Sequence, residues 1–137
     1  MKIPASIQKI FNEDKAVAFG TATIDGEPNI NMVGVKKIKD DGTIILVDNY
    51  FNKTLVNIMN NNKGTILTKN TEKRLWYQLK GTYTYINNGQ QYEELKKWAK
   101  SIYEPSPAKG VILFKVEKIY NCNSGSSAGN LIEEGME

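Results

Sequence analysis

Short turns between strand-like segments constrain the fold of this chain more than any other feature of its sequence. Residues 16–24 and 29–38 both have strand character, and the four residues between them, Asp-Gly-Glu-Pro at 25–28, favour a tight turn. A second turn signal at 40–42 precedes the apolar run at 43–49, which is short enough to be a buried strand. Turns this tight join antiparallel neighbours, so the first half of the chain is predicted to form a three-stranded meander.

The rest of the chain alternates helical and strand-like patterns. Apolar residues at helical spacing predict a short helix before residue 14 and two more over 52–61 and 89–103. Residues rich in β-branched and aromatic side chains predict strands over 65–70, 74–86 and 110–120. The order of helix, three strands, helix, two strands, helix and strand predicts a mainly β fold, a six-stranded antiparallel barrel with flanking helices. Gly81 predicts a bulge or a close backbone approach in its strand.

The chain of 137 residues is predicted to form one domain with a tail. No internal repeat and no long linker divides it, and its length suffices for an ordinary hydrophobic core. The folded domain is predicted over residues 1–121. Residues 122–137 are polar and rich in Gly and Ser, which predicts a loop.

Composition excludes several classes of function. The net charge of +3 is spread over mixed-sign segments without a long basic block, so a nucleic-acid partner is not expected. The chain has no run of about 20 apolar residues and no signal peptide, and its single cysteine, Cys122, has no partner for a disulfide. No membrane association and a cytoplasmic location are therefore expected. The chain contains no histidine, which removes the commonest metal ligand and the base of many nucleophilic sites, and no metal site is predicted.

The segment Phe51–Thr54 raises the question of why a lysine stands at the start of a helix. The N-terminus of a helix carries partial positive charge, so Lys53 is unfavourable there unless an anion is bound. The free N–H groups of the first turn, Lys53 and the hydroxyl of Thr54 together would form a phosphate cradle. The alternative is that Asn52 caps a surface helix and Lys53 points into solvent. The residues alone leave both interpretations open.

The segment at 29–35 is the second candidate. Its inward positions include Asn31 and Gly34, where a half-buried strand usually carries bulky apolar groups, so a flat ring system could lie against this backbone. The alternative is an edge strand with a bulge at Gly34. Trp76 and Tyr77 belong to an alternating aromatic run that is typical of a core face or a subunit interface. Neither Cys122 nor the scattered acidic residues form a recognisable catalytic group.

The order of these segments resembles the pyridoxamine 5'-phosphate oxidase-like FMN-binding split-barrel family, in its small single-domain branch. The resemblance covers about residues 5–130, and its most specific parts are NYFNKT at 49–54 and LKGT at 79–82. It implies a six-stranded antiparallel split β-barrel that forms a homodimer. It also implies that FMN is held in a cleft between the two barrels.

The resemblance implies ten cofactor-binding residues by position. Those lining the isoalloxazine ring and the ribityl chain, largely through main-chain groups, would be Asn31, Met32, Val33 and Gly34. Asp48 and Asn49 would lie near the ribityl chain at the end of a strand.

The remaining four residues concern the phosphate and the edge of the ring. Asn52, Lys53 and Thr54 would hold the FMN phosphate, which would also explain the lysine in the first turn. Trp76 stands in the strand that approaches the flavin near the dimer interface in relatives.

The function implied by the resemblance is that of an FMN-dependent oxidoreductase acting on a small-molecule substrate or electron donor. A true pyridoxamine 5'-phosphate oxidase is not expected, because the chain has a single arginine, Arg74, and its tail carries no basic residue. Haem-handling relatives commonly rely on histidine, which is absent here. The alternatives are a non-catalytic FMN-binding protein for electron transfer or flavin storage, a deazaflavin-dependent reductase, and an interaction module without a cofactor.

Overall fold

The computed structural model of the chain describes residues 2–132, which form three helices and eight strands. Residues 133–137 of the predicted tail lie outside the described residues. The helices are α1 (Ala5–Glu13), α2 (Lys53–Asn60) and α3 (Gln90–Ile102). The strands are β1 (Val17–Ala22), β2 (Pro28–Val33), β3 (Lys36–Ile38), β4 (Ile44–Asp48), β5 (Lys63–Asn70), β6 (Leu75–Ile86), β7 (Gly110–Asn121) and β8 (Leu131–Ile132).

All eight strands belong to one antiparallel sheet. Its order is β2-β1-β5-β6-β7-β4-β3, with β8 paired to β7. The sheet curls around the main hydrophobic core, and its two end strands, β2 and β3, are consecutive in the chain. The predicted mainly β fold with antiparallel strands and flanking helices is therefore confirmed.

The structure has eight strands where the sequence predicts six. The strand predicted over 29–38 is divided into β2 and β3 by Gly34 and Val35, because the chain turns there from pairing with β1 to pairing with β4. The segment predicted as a tail adds the two-residue strand β8. Both differences depend on strand pairing between distant parts of the chain, which local patterns do not record.

The core lies on both faces of the sheet. Alternate residues of the strands point inward, and the rings of Phe19, Tyr83 and Phe114 pack together there with centroids 5.7–6.3 Å apart. Helix α3 covers part of the outer face, where Leu95 and Ala99 pack in a second cluster with residues of β4 and β7. This leaves the outer face of β1, β2 and β5 without a covering helix.

Gly81 marks the bulge predicted for its strand. The register between β6 and β7 shifts between Lys80 and Gly81. A Cβ atom at residue 81 would clash with the carbonyl oxygen of Lys115, so only glycine fits at this approach of the two strands. The prediction of a close backbone approach is confirmed.

Candidate functional site

The residues predicted to bind a phosphate lie where β4 leads into α2. Loop Asn49–Asn52 connects the last residue of β4 to Lys53, the first residue of α2. Asn52 occupies the N-cap position, but its side chain makes no capping hydrogen bond. The simple cap considered from the sequence is therefore not formed, and the first-turn N–H groups receive no acceptor from the side chain of Asn52. Such groups favour an anion, and the side chain of Lys53 is exposed beside them.

A depression of about 270 Å³ opens at the start of α2 and is called the α2 depression below. It lies between this helix and the turn that joins β1 to β2. The residues lining it are Thr23, Glu27, Pro28, Asn29, Asn52, Lys53, Val56 and Asn57. Lys53 is the cation of this lining and Glu27 is the anion, so the charges are of both signs.

A larger cavity of about 520 Å³ lies beside β2 and is called the β2 cavity. Five of the ten residues predicted to bind the cofactor line it, together with Val35, Val47, further residues of loop Asn49–Asn52 and the C-terminal end of α3. The lining residues are Asn31, Met32, Val33, Gly34, Val35, Val47, Asn49, Tyr50, Phe51, Ile102 and Tyr103. The cavity is lined mainly by apolar and aromatic residues, as ligand cavities for ring systems commonly are. None of its lining side chains is formally charged.

Loop Asn49–Asn52 forms a wall of both spaces. Asn49, Tyr50 and Phe51 line the β2 cavity, whereas Asn52 lines the α2 depression. The two spaces are thus neighbours that share one short segment of chain. The loop brings together the two candidate segments that the sequence analysis treats separately.

A network of neutral polar side chains fixes α2 to β1 and β2. Thr54 Oγ1 donates a hydrogen bond to Asn31 Oδ1 (2.8 Å) and accepts one from Asn29 Nδ2 (2.9 Å). Asn57 Nδ2 donates to Thr21 Oγ1 (3.1 Å), and Thr21, Thr54 and Asn57 are all buried. The hydroxyl of Thr54 therefore faces the sheet, so its main-chain N–H is the group that it presents at the first turn.

Three members of this network, Thr21, Asn29 and Asn57, were not among the predicted site residues. A signal for two of them is present in the sequence. Asn29 and Asn31 alternate on one strand, which places both amides on the same inward face. Asn57 follows Thr54 by three residues on the helix, so these two also share a face. Polar residues repeated on buried faces indicate a partner across the interface.

Asp48 is fully buried and lines neither space. Its Oδ1 accepts a hydrogen bond from the N–H of Phe51 (2.9 Å), and its Oδ2 accepts one from the hydroxyl of Tyr85 (2.7 Å). Lys109 Nζ lies 3.8 Å from Oδ1. Burial, followed by the hydrogen bond to Asp48, raises the pKa of Tyr85 above its ordinary value. The structure thus places Asp48 behind the loop, at the end of β4 where the sequence predicts it.

Asn49 links the same loop to the segment before β7. Its Oδ1 accepts hydrogen bonds from Ser106 Oγ (2.5 Å) and from the N–H of Ala108 (2.9 Å). Ser106 and Ala108 are both buried. The side chain of Asn49 therefore supports the loop while its residue also lines the β2 cavity.

Trp76 lies apart from the other predicted residues. It pairs with Lys69 near the start of β6 and lines neither the β2 cavity nor the α2 depression. By strand alternation it is on the outer face of the sheet, since Tyr77 and Leu79 contact the main core. That face also carries the exposed side chains of Ile30 and Met32.

The remaining features of residues 2–132 give less support to a binding or catalytic site. A cavity of about 590 Å³ contains none of the ten predicted residues and is lined by residues of β6, β7 and the β3–β4 turn, with Asn62 and Gln91. No three His, Cys, Asp or Glu side chains of the described residues group as metal ligands, and Cys122 is exposed. None of the helices in this part of the chain is long and apolar enough to cross a membrane.

Comparison with known proteins identifies similar sequences. The sequence profile described as pyridoxamine 5'-phosphate oxidase matches residues 3–123. An uncharacterised protein of Methanocaldococcus jannaschii is 36% identical over 122 residues, which are 88% of this chain and 81% of that protein.

Comparison with solved structures identifies the same fold. HupZ of Group A Streptococcus is 31% identical with a TM-score of 0.80, and the match covers 93% of this chain and 99% of HupZ. An FMN-binding protein from Syntrophomonas wolfei is 22% identical with a TM-score of 0.71, over 83% of this chain and 82% of that one. HutZ, a heme storage protein from Vibrio cholerae, and an F420 reductase are each 12% identical and share the fold alone.

Proposed function

This chain belongs to the pyridoxamine 5'-phosphate oxidase family, and on that premise we propose that it binds FMN and acts as a flavin-dependent oxidoreductase. The observation that carries the proposal is the adjacency of the β2 cavity and the α2 depression on either side of loop Asn49–Asn52. FMN has a flat ring system at one end and a phosphate at the other, so it needs two neighbouring subsites of different character. The β2 cavity is lined mainly by apolar and aromatic residues, whereas the α2 depression contains Lys53 at the uncapped start of α2.

The β2 cavity fits the ring system. Its volume of about 520 Å³ lies within the usual range for small-molecule sites, roughly 300–1,000 Å³. Asn31, Met32, Val33 and Gly34 would offer main-chain groups to the ring, and the absence of a side chain at Gly34 leaves the backbone open to a flat ligand. The exposed side chains of Tyr50 and Ile102 would cover apolar parts of the ligand.

The α2 depression fits the phosphate. The uncapped N–H groups at the start of α2 and the ammonium of Lys53 are the donors that bind phosphate at helix N-termini. Asn52 and the N–H of Thr54 would complete this subsite. Asn49, which lines the β2 cavity, would lie near the ribityl chain, whereas the buried Asp48 would support loop Asn49–Asn52 from behind.

When bound, the flavin supplies the redox chemistry of the proposed activity. The residues of this chain bind it, orient it and exclude water from the ring face. The substrate class is a small molecule that reaches the flavin beside Tyr50 and Tyr103 at the exposed side of the β2 cavity. No side chain of the chain itself is assigned a catalytic role. A protein that binds FMN but shows no turnover with NAD(P)H or another donor would instead serve electron transfer or flavin storage.

A deazaflavin is the alternative cofactor, because one structure of this fold is an F420 reductase and a phosphate cradle does not distinguish two similar tricyclic rings. Haem is less well supported. HutZ stores heme, but the present chain has no histidine to serve as an axial ligand, although other residue types ligate haem in some proteins.

An absorption spectrum of the purified protein, recorded with and without added FMN, tests the proposed function. Mass identification of any small molecule released by heat completes the measurement. We expect flavin bands and released FMN. A released deazaflavin would retain the site and change the cofactor, whereas a colourless protein that leaves FMN fluorescence unchanged would contradict the proposal.

The variant Gly34→Val tests the assignment of the ring subsite. A Cβ atom at residue 34 has room in the fold, since the nearest atom to it is the Lys15 carbonyl oxygen at 3.5 Å, and residue 34 lies between two strands. We therefore expect unchanged thermal stability. We also expect FMN and riboflavin to bind about tenfold more weakly, because the added methyl groups would occupy space against the ring. Equal affinities of the variant and the parent protein, measured by quenching of flavin fluorescence, would place the ring elsewhere.

The protein is further proposed to be a homodimer, with the outer face of β1 and β2 in the interface. Ile30 and Met32 are 72% and 56% exposed on this face, and Ala18 and Gly20, their pairing partners, are small enough to make it flat. An exposed apolar sheet face of this kind commonly binds another protein surface. Trp76 lies on the same face of the sheet, so it would reach a flavin only across the interface.

The variant Ile30→Glu tests this interface. We expect it to convert a dimer into a monomer in analytical ultracentrifugation, because a carboxylate at the centre of an apolar interface loses its hydration. Met59→Glu is the matched control, since Met59 is 57% exposed on α2, which covers the opposite face of β1 and β2. A parent protein that sediments as a monomer with and without FMN would contradict the dimer.

A further inference from the structure

We propose that Tyr85 is a positioning residue for FMN, which acts through Asp48 by holding loop Asn49–Asn52 in the shape that binds the cofactor. The inference rests on the proposed function. Tyr85 contacts neither the β2 cavity nor the α2 depression, so its effect on the ligand would be indirect.

The side chain of Asp48 determines how the loop leaves β4. Its Oδ1 accepts the hydrogen bond from the N–H of Phe51, three residues ahead, which folds the loop back over the end of the strand. The carboxylate is fully buried beneath the loop. A buried carboxylate requires hydrogen-bond donors, because its transfer from water is costly without them.

Tyr85 supplies a side-chain hydroxyl donor to this carboxylate. Its hydroxyl lies 2.7 Å from Asp48 Oδ2, while the ammonium of Lys109 is 3.8 Å from Oδ1 and its side chain is 46% exposed. The Lys109 interaction is therefore longer and better screened by solvent. A phenol with the ordinary tyrosine pKa of about 10 is protonated at neutral pH, and burial raises the pKa of Tyr85 further, so its hydroxyl is a donor.

A glycine makes room for this arrangement. A Cβ atom on Gly110, the first residue of β7, would clash with the ring and hydroxyl of Tyr85. The ring therefore reaches Asp48 through space that exists only because residue 110 has no side chain. This close fit fixes the position of the phenol and leaves Asp48 a single well-placed donor from β6.

The consequence for FMN follows from the shared wall. Because loop Asn49–Asn52 contributes to both spaces, a change in its shape would disturb the ring subsite and the phosphate subsite together. A protein that adopts the binding shape only part of the time has a dissociation constant raised in inverse proportion to that fraction. Loss of the Tyr85 hydroxyl should therefore weaken FMN without removing any group that touches it.

The chain offers a matched control for this test. Tyr83 lies two residues before Tyr85 on β6, and its hydroxyl donates to the carbonyl oxygen of Asn61, beyond the C-terminal end of α2. Burial raises the pKa of Tyr83 to about 12, so both phenols are protonated donors. Tyr83→Phe and Tyr85→Phe thus each remove one partly buried hydroxyl from the same strand, at opposite ends of α2.

The experiment measures the dissociation constant of FMN by fluorescence titration and the urea unfolding curve for the parent protein and both variants. We expect Tyr85→Phe to raise the dissociation constant about five- to tenfold and Tyr83→Phe to change it less than twofold, at similar losses of stability. Equal effects of the two variants on FMN binding would overturn the inference and leave the proposed function intact.

Two further measurements separate the possible outcomes. In the double variant Asp48→Asn, Tyr85→Phe, FMN should bind no more weakly than in Asp48→Asn alone, because Tyr85 acts through Asp48. If the losses of FMN affinity in the two single variants add up in the double variant, Tyr85 does not act through Asp48 and the inference is overturned. Amide hydrogen exchange of Phe51 needs no ligand: faster exchange in Tyr85→Phe than in Tyr83→Phe supports the loop-holding role even if the parent protein fails to bind FMN. Unchanged exchange would overturn it.

Discussion

Replacement of Lys53 by alanine should weaken FMN about tenfold or more while riboflavin binding changes little. Riboflavin lacks the phosphate, and hydrogen bonds to charged groups are worth more than those between neutral groups. Lys53 lines the α2 depression beside the uncapped first turn of α2, where its charge would act on the phosphate. The ratio of the two dissociation constants, measured by titration of flavin fluorescence, isolates the contribution of the phosphate subsite.

Lys63→Ala is the control for this experiment. Lys63 is also exposed, but it stands at the first residue of β5 and does not line the α2 depression. Its removal changes the net charge of the protein by the same amount, so a general electrostatic effect would appear in both variants. Equal weakening of FMN and riboflavin in Lys53→Ala would exclude Lys53 from the phosphate subsite.

Replacement of Gly81 by alanine should destabilise the fold by about 3 kcal/mol or more, because the added methyl group would clash with the backbone of β7. A loss of this size is a large part of the roughly 5–15 kcal/mol that stabilises a typical domain. The strands cannot separate without breaking the β6–β7 pairing, which runs from Tyr77 to Ile86. Urea unfolding monitored by tryptophan fluorescence measures the change.

Gly34→Ala provides the comparison for the effect on stability. Its Cβ atom would meet only the Lys15 carbonyl oxygen, at an ordinary contact distance of 3.5 Å. We expect its unfolding curve to lie within about 0.5 kcal/mol of the parent protein. A Gly81→Ala protein as stable as Gly34→Ala would show that the bulge can relax by moving β7.

The fold was largely predictable from the sequence because most of its elements are local. Tight turns such as the one at residues 25–28 can be recognised from four residues, and the three helices have clear apolar faces. The division of one predicted strand into β2 and β3 was not predictable in the same way. It depends on Val35 and its neighbours changing partners from β1 to β4, which is a property of the assembled sheet.

The sequence indicates the segments that form the candidate site, but it does not indicate which side chains of those segments contact one another. The sequence predicts site residues at 31–34, 48, 49 and 52–54, and the structure brings the two segments that contain them to neighbouring spaces. The pairing of Asn29 with Thr54, and of Asp48 with Tyr85, joins residues 25 and 37 positions apart. No local pattern states which of several polar residues will meet across such a distance.

Strand β2 carries two separate surfaces on one short piece of chain. Within the described residues it pairs with β1 alone, so one edge of its backbone is free of strand partners. Asn29 and Asn31 point toward α2, whereas Ile30 and Met32 point to the uncovered face. A substitution at Ile30 can therefore alter the outer surface while Asn29 and Asn31 keep α2 in place, so this part of the outer surface is free to evolve independently of the helix contact.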